Sequence, residues 1–249
     1  MNEKGFVICL CDESGVFAEP WLRAGFNAIL VDPQHEKTFQ SITHPGGGVI
    51  WKIGRVINHP GTFYYLRIAI EYGVAFVAGF PPCTDVAISG ARWFEEKRAK
   101  DIHFQAKAAL VAEQCRMIGQ LSGAPWFFEN PGSVFSSIFG KANHTFNPCE
   151  YGGYLPEDDA HPLYPDVFPP RDGYMKKTCL WSGGDFVMPP RRPVHGLPFH
   201  EAIKLGGKSE RTKRIRSTTP RGFAEAVYQF NREAANDDFP TPEQISRAG

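Results

Sequence analysis

Short apolar runs alternate with segments of helical periodicity through the first half of the chain. The strand-like runs are GFVICLC, NAILVD, GVIWKI, VAFVAGF and PWFFEN. The segments between them, such as VFAEPWLRAG, GTFYYLRIAIEYG and RAKDIHFQAKAALVAEQCRMIGQLSG, have the apolar spacing of amphipathic helices. This alternation predicts an α/β fold with a mostly parallel sheet and helices on both of its faces.

Composition narrows the class of protein. The 249 residues carry 27 Lys and Arg against 27 Asp and Glu, so no net charge attracts nucleic acid or a membrane. The amino-terminal apolar run is too short for a signal peptide or a membrane span, and the six dispersed cysteines are typical of a reducing compartment. We therefore expect a cytoplasmic protein.

Cys149, His144 and His161 are spaced too loosely to predict a metal site.

The chain is expected to form one catalytic domain over residues 1–230, followed by a polar tail over 231–249. Residues 139–175 lose periodicity and predict an irregular surface segment, ordered by aromatic side chains such as Tyr151, Tyr154 and Phe168. KKTCLWSGGDF predicts one more strand, and GFAEAVYQFNREAA predicts a final amphipathic helix.

Two stretches place reactive side chains where strands end. GFPPC puts Cys83 in a rigid turn, and FFEN puts Glu129 after an apolar run that should desolvate it. Ligands of parallel sheets bind at the carboxyl ends of the strands. Taken alone, Cys83 could simply pack, but a thiol beside an acid whose pKa is raised by burial is a nucleophile and proton-donor pair.

The turn after the first strand, CDESG, and Asp32 at the end of the second strand predict a cofactor site. Small residues in the turn let backbone amides approach a ligand at a helix N-terminus. An acid at the end of the second strand accepts hydrogen bonds from ribose hydroxyls. The alternative for Asp32 is a turn-forming role before Pro33.

With these motifs in order, the chain resembles the DNA cytosine-C5 methyltransferase family, especially its short phage and prophage members. GFPPC matches the Pro-Cys nucleophile loop and ENP stands where most members have Glu-Asn-Val. KKTCLW and RSTTPRGFAEAV match the later motifs, over roughly residues 6–230. The resemblance implies a Rossmann-like S-adenosylmethionine-dependent methyltransferase fold whose recognition region is much reduced. It also implies that Cys83 adds to C6 of cytosine, that Glu129 acts at N3 and that Asn130 holds the loop or the base edge. Lys176, Lys177 and Thr178 stand where the family's basic strand usually carries arginines.

The resemblance further implies S-adenosyl-L-methionine as cofactor and DNA, double- or single-stranded, as partner. The expected cofactor-binding residues share positions at strand ends and in the motif that closes the site. They are Asp12, Glu13, Ser14, Gly15, Asp32, Pro33, Ile53, Phe80, Pro81, Ser217 and Thr218.

Residues 186–216 form a short basic segment where larger family members carry a recognition domain. Its candidate nucleic-acid-binding residues are Lys204, Lys208, Arg211, Lys213 and Arg214. They predict either a phosphate-tracking loop or a solvated face. Because phosphate contacts give affinity without sequence, a loop of this kind favours short or relaxed sequence preference.

Two other functions fit the same residues. The thiol chemistry could act on a free nucleotide or add a different C5 substituent, or the fold could serve a non-catalytic nucleic-acid-binding or regulatory protein. Cys83 and Glu129 argue against the second alternative, because a binder has no use for the pair.

Overall fold

A computed structural model describes residues 4–203 and 209–233. The described residues contain ten strands: β1 Phe6–Leu10, β2 Asn27–Val31, β3 Gln40–Thr43, β4 Val49–Ile53, β5 Val74–Gly79, β6 Trp126–Pro131, β7 His144–Phe146, β8 Tyr174–Met175, β9 Thr178–Gly183 and β10 Leu197–Pro198. The α-helices in the same part of the chain are α1 Glu19–Arg23, α2 Pro60–Tyr72, α3 Phe94–Lys100, α4 Phe104–Ser122, α5 Phe135–Ile138, α6 Phe199–Ala202, α7 Glu210–Ser217 and α8 Arg221–Asn231.

Eight of these strands form one sheet in the order β3-β4-β2-β1-β5-β6-β9-β7. Strands β4, β2, β1, β5 and β6 are parallel, whereas β3 and β9 run antiparallel to their neighbours. The chain leaves β1 towards β2 on one side and later returns to its other side as β5. The strand order therefore reverses between β1 and β5, which is where sheets of this kind open a ligand crevice.

Both faces of the sheet are covered, as the sequence predicts. On one face Val7 and Cys9 of β1 lie in a core cluster with Trp21 of α1 and Phe223 of α8. On the other face Ile8 lies in a cluster with residues of α2 and α4. This mixed α/β, Rossmann-like architecture follows from strands that are apolar on both sides, because each face must be buried against a helix.

Several element boundaries differ from the prediction. The long helix over 98–123 is interrupted: α3 ends at Lys100, and α4 begins at Phe104. Asp101 adopts an extended backbone, and its carboxylate accepts a hydrogen bond from the His103 amide at 2.9 Å. Short polar side chains compete with the helix for backbone groups in this way.

The prediction of an irregular segment over 139–175 is corrected in part. Strand β7 pairs with β9 at the edge of the sheet, and a helical turn spans Pro148–Tyr154. The three aromatic residues expected to order the segment, Tyr151, Tyr154 and Phe168, are indeed buried. Three residues are too few for β7 to show a period in the sequence.

A third and smaller cluster lies apart from the two faces of the sheet. Phe168, Tyr174, Ile203 and Ile215 form its buried centre. The short strands β8 and β10 pair parallel to each other beside it. We call this part the small lobe; it contains much of the segment expected to replace a recognition domain. None of the helices described for 4–203 and 209–233 has the length and apolar character that crossing a bilayer requires.

Candidate active site

The ends of β5 and β6 bring the predicted nucleophile and acid to the same edge of the sheet. Gly79 of β5 pairs with Phe128 of β6, so Pro81 and Asn130 continue from adjacent strands. The Asn130 side-chain amide donates to the Pro81 carbonyl at 2.9 Å. Asn130 is 1% exposed, so this hydrogen bond fixes the turn before Cys83 from inside the protein. This contact matches the loop-holding role predicted for Asn130. The side-chain oxygen of Asn130 is buried and has no hydrogen-bond partner among the described residues, so the base-edge role stays a prediction.

Cys83, Glu129 and Lys176 form one electrostatic group. Desolvation raises the pKa of the Cys83 thiol, the Glu129 carboxylate raises it further, and Lys176 acts in the opposite direction. Burial likewise raises the pKa of Glu129, and Lys176 opposes the rise. A carboxyl group with a raised pKa can hold a proton near neutral pH, and the adjoining cation favours the thiolate.

Lys176 lies between the small lobe and β9, and Thr178 begins β9. The Thr178 hydroxyl donates to the Lys176 carbonyl at 3.1 Å. The Lys176 ammonium donates to the Arg216 carbonyl at 2.7 Å. Lys176 therefore links the acid at the sheet edge to the chain that precedes Ser217 and Thr218.

A small cavity opens between these elements. Its lining comprises Phe80, Phe127, Glu129, Phe146, Lys176, Thr178, Thr218, Thr219, Pro220 and Phe223. It unites predicted catalytic residues with two predicted cofactor residues, Phe80 and Thr218. Phe127, Phe146 and Phe223 line this cavity without any sequence signal. An apolar residue in a strand or an amphipathic helix shows the same pattern whether it faces the core or a cavity.

The turn after β1 is organised by Asp12. One carboxylate oxygen of Asp12 accepts hydrogen bonds from the Ser14 amide, the Ser14 hydroxyl and the Gly15 amide, at 2.8, 2.7 and 2.9 Å. The expected approach of these two amides to a ligand is therefore wrong for this conformation. Helix α1 begins only at Glu19, which moves its N-terminus away from the turn. Gly15 has φ +72°, a conformation that glycine adopts without strain.

The second oxygen of Asp12 is buried and lacks a hydrogen-bond partner among the described residues. Asp32 is 6% exposed, and one of its oxygens accepts from the Gln34 amide at 2.8 Å. Its own amide donates to the Ile53 carbonyl at 3.1 Å. The Ile53 side chain is fully buried in the core, so Ile53 supports Asp32 instead of lining a site. Pro33 is exposed next to Asp32.

These acids fit the predicted cofactor. S-adenosylmethionine carries a sulfonium and an ammonium group, both cationic, and ribose hydroxyls that donate hydrogen bonds. An orphaned buried carboxylate oxygen at Asp12 and a carboxylate at Asp32, on neighbouring strand ends, offer acceptors to such a ligand. Within 4–203 and 209–233, no three His, Cys, Asp or Glu side chains come together as a metal site would require.

The closing segment, which we define as residues 214–219, returns to the turn after β1. Arg214 forms an ion pair with Glu13 at 2.7 Å. The side chains of Ser217 and Thr218 both donate to the Arg214 carbonyl, at 3.0 Å each. Two residues that the sequence assigned to different ligands, Glu13 to the cofactor and Arg214 to nucleic acid, thus contact each other.

The described part of the basic run forms helix α7, which corrects the prediction of a loop. Arg211 lies 5.9 Å from the Tyr164 ring centre, and both Arg211 and Lys213 are exposed. Lys204 and Lys208 lie outside the described residues. A helix presents its cations on a fixed surface, whereas a loop would mould to a backbone.

No family model matches the chain, and no curated protein matches it. Among solved structures, it is similar to one described provisionally as a DNA modification methyltransferase encoded within a prophage of E. coli. That similarity has 16% sequence identity and a TM-score of 0.37, and it covers 77% of this chain. The chain spans 53% of that structure, about half of its length.

Proposed function

We propose that this protein transfers a methyl group from S-adenosylmethionine to C5 of cytosine in DNA, through a transient bond between the Cys83 sulfur and C6. One observation carries the proposal. A thiol, an acid with a raised pKa and a lysine share one electrostatic environment at the ends of adjacent parallel strands. Structural thiols pack inside cores, whereas Cys83 is exposed beside these two groups.

The residues have complementary tasks in this reaction. The Cys83 thiolate adds to C6, and Glu129 delivers its proton to N3, so that the electron pair of the former C5–C6 double bond becomes available at C5. The cofactor supplies an electrophilic methyl group at that point. The C5 proton then leaves to water, the sulfur–C6 bond breaks, and N3 returns its proton to Glu129. Lys176 favours the thiolate of Cys83. It also opposes the rise in the pKa of Glu129, but burial is the larger influence and keeps that pKa raised.

Asn130 and Pro81 position the nucleophile. The hydrogen bond between them joins the loop of Cys83 to the strand of Glu129. A sulfur held in this way keeps one distance and angle to a base that Glu129 binds, which is the geometric requirement for fast addition. In a duplex the base must leave the stack to reach this edge.

Trapping of the covalent bond tests the proposal. We expect DNA that contains 5-fluorocytosine to form an adduct with the protein in the presence of S-adenosylmethionine, because fluorine cannot leave C5 as a proton does. Mass spectrometry of proteolytic fragments should place the adduct on Cys83. Cys83→Ser should abolish it, and Cys149→Ser, a change at a buried cysteine, is the matched control.

Three further arms separate the alternatives. Single-stranded DNA and dCTP, each with the same base analogue, test the strandedness of the substrate and the free-nucleotide reaction. Isotope-labelled cofactor identifies the group that is transferred. Absence of any adduct, under conditions in which S-adenosylmethionine binds by calorimetry, would favour the non-catalytic binding protein and overturn the proposal.

A further inference from the structure

The outer face of α4 carries a row of exposed apolar side chains. Leu110, Met117 and Leu121 are 53%, 48% and 66% exposed. At 3.6 residues per turn, their spacing places all three within about 40° of arc, one above another along the helix. Single exposed apolar residues are ordinary on protein surfaces, whereas a continuous row marks an interaction surface. We call these three residues the α4 stripe.

The opposite face of α4 holds the stripe outward. Ala112, Cys115 and Ile118 are buried in the core cluster on that side of the sheet. They belong to the face of α4 that packs on β5 and β6. The stripe therefore cannot turn inward unless this core is unpacked, and a helix of 19 residues offers it as a preformed surface about 28 Å long.

A groove beside the stripe widens this surface. Glu113, Arg116 and Gln120 of α4 line it together with Ile138 of α5 and Trp181 of β9. Ile138 is half-exposed. The groove shares no lining residue with the cavity proposed as the active site. This part of the molecule thus offers apolar surface that the proposed chemistry does not use.

The charges on α4 show which partner fits the stripe. The Arg116 guanidinium donates to both carboxylate oxygens of Glu113, at 2.7 and 2.5 Å. At 3.6 residues per turn, both residues lie on the same side of the stripe. When two identical helices pack antiparallel about a two-fold axis, the same side of each helix adjoins its copy. Glu113 of each chain then adjoins Arg116 of the other, so the surface is complementary in charge to itself.

The apolar side chains have the same symmetry. Leu110 and Leu121 lie at equal distances along the helix from a point just after Cys115. An antiparallel copy centred at that point sets Leu110 of each chain against Leu121 of the other. The two copies of Met117 meet near the centre. A two-fold interface needs this kind of self-complementary surface, in which each contact occurs twice.

We propose that the α4 stripe is the centre of a two-fold symmetric dimer of this chain, in which α4 packs antiparallel to α4 of the second copy. The inference does not rest on the proposed function. Helix α4 leads from the carboxyl end of β5 back to the start of β6, so it runs antiparallel to these strands. The two catalytic edges of such a dimer point in opposite directions, and both stay open.

The mass of the full chain in solution tests the dimer. Size-exclusion chromatography with light scattering should give about twice the chain mass of 27.8 kDa. Leu110→Glu combined with Leu121→Glu should shift the mass to that of one chain, because the interface would bury carboxylates without partners. Phe63→Glu, a change at a side chain that is 45% exposed on α2, is the matched control and should stay dimeric. A wild-type protein that is monomeric up to its solubility limit would overturn the proposal and leave the stripe to a different protein.

A charge exchange tests the symmetry of the interface. Glu113→Arg alone sets arginine against arginine across the two-fold axis, and Arg116→Glu alone sets glutamate against glutamate, so each variant should shift towards the mass of one chain. An equal mixture of the two variants should return to the mass of the dimer, because both contacts between unlike chains then join opposite charges. The helix of each variant chain still carries two like charges, so this rescue cannot come from within one chain.

The exposed pair of Arg67 with Glu71 on α2 provides the matched control. Arg67→Glu and Glu71→Arg, alone or mixed, should leave the dimer mass unchanged. A dimer that persists in both Glu113→Arg and Arg116→Glu, or a mixture that stays at the mass of one chain, would mean that α4 does not face its own copy and would overturn the proposal.

Discussion

The catalytic strand ends and the closing segment meet at one cavity but are held there by different forces. Pro81, Cys83, Glu129 and Asn130 continue from adjacent parallel strands, and a fully buried hydrogen bond joins them. The closing segment at 214–219 arrives from the far end of the chain. Ion pairs and single hydrogen bonds hold it and its flanks, among them the pair of Arg214 with Glu13 and the bond from Lys176 to the Arg216 carbonyl.

The ionic anchor behind the closing segment is the most buried of these contacts with charged residues. Arg221 binds both carboxylate oxygens of Asp159 at 2.6 Å, and the Gly222 amide donates to Asp172 at 2.8 Å. The Arg221 and Asp159 side chains are only 15% and 8% exposed. Backbone pairing and a buried hydrogen bond thus hold the strand ends that carry the chemistry, whereas charged groups hold the wall that closes the cavity.

The largest effect should come from the acid on the catalytic side. We expect Glu129→Gln to slow turnover about 100- to 10,000-fold, because an amide cannot supply the proton at N3. Calorimetry should show unchanged affinity for S-adenosylmethionine. Glu71→Gln, at an exposed helical position, is the control. Loss of cofactor affinity in step with turnover would assign Glu129 to the cofactor site instead.

The next effect tests the anchor of the closing segment. Arg221→Met leaves the buried carboxylates of Asp159 and Asp172 without their cation, and breaking a buried pair from one side costs about 3–5 kcal/mol. Urea denaturation should show this loss in the free energy of unfolding. Arg67→Met removes one partner of an exposed pair and should cost no more than about 1 kcal/mol. Equal losses in the free energy of unfolding for the two variants would contradict the inference that Arg221 anchors the closing segment.

The pH dependence of the free energy of unfolding tests the same anchor, because Asp172 lies beside Arg221. Burial raises the pKa of Asp172 to about 6, whereas an aspartate in an unfolded chain has a pKa of about 3.9. The folded state therefore holds this proton more tightly than the unfolded chain does. As the pH rises from about 4 to about 6, Asp172 loses the proton and lowers the free energy of unfolding. We expect Asp172→Asn to become more stable relative to wild type between about pH 4 and pH 7, by about 3 kcal/mol in all.

His161 makes the free energy of unfolding depend on pH in the opposite direction. The contribution of Asp172 is therefore measured as the difference between wild type and Asp172→Asn. Burial lowers the pKa of His161 to about 4, so the unfolded state takes up the proton first and stability falls as the pH drops below about 6.5. The two contributions oppose each other in the wild-type protein. Asp166→Asn, at an exposed position in the same region, controls for the change in net charge. A stability difference that does not vary with pH would contradict the assignment to Asp172.

The smallest effect belongs to the contact between the turn after β1 and α7. Glu13 and Arg214 are 28% and 56% exposed, so their coupling in a double-mutant cycle of Glu13→Gln and Arg214→Gln should be about 0.2–1 kcal/mol. The coupling should fall as salt is raised from about 0.05 to 0.5 M, because exposed charges are screened. A larger coupling energy that does not change with salt would contradict this prediction, because it would mean that the pair behaves like the buried pair of Arg221 with Asp159.

The sequence alone determined the sheet and the edge at which chemistry can occur. Apolar runs such as VAFVAGF and PWFFEN bury strands on both faces, and parallel strands must present their carboxyl ends together. Cys83 and Glu129 could therefore be placed side by side without coordinates. The strands β3 and β7 were missed, because they are short edge strands whose pairing depends on neighbours already in place.

Tertiary structure alone decided what covers that edge. Lys176 meets the Arg216 carbonyl across 40 residues, and Arg221 meets Asp159 across 62. Charged residues have no periodicity that predicts a partner so distant in the sequence. The ion pair of Arg214 with Glu13 therefore had no sequence signal, and their predicted roles towards nucleic acid and the cofactor stay predictions. The position of Ile53 in the sequence likewise does not reveal its surroundings. Its position at a strand end suggested a ligand contact, but the packing of α2 and α4 against the sheet buries its side chain completely. Local patterns fix which elements form and where they end, whereas the partner of each surface is set by the three-dimensional path of the chain.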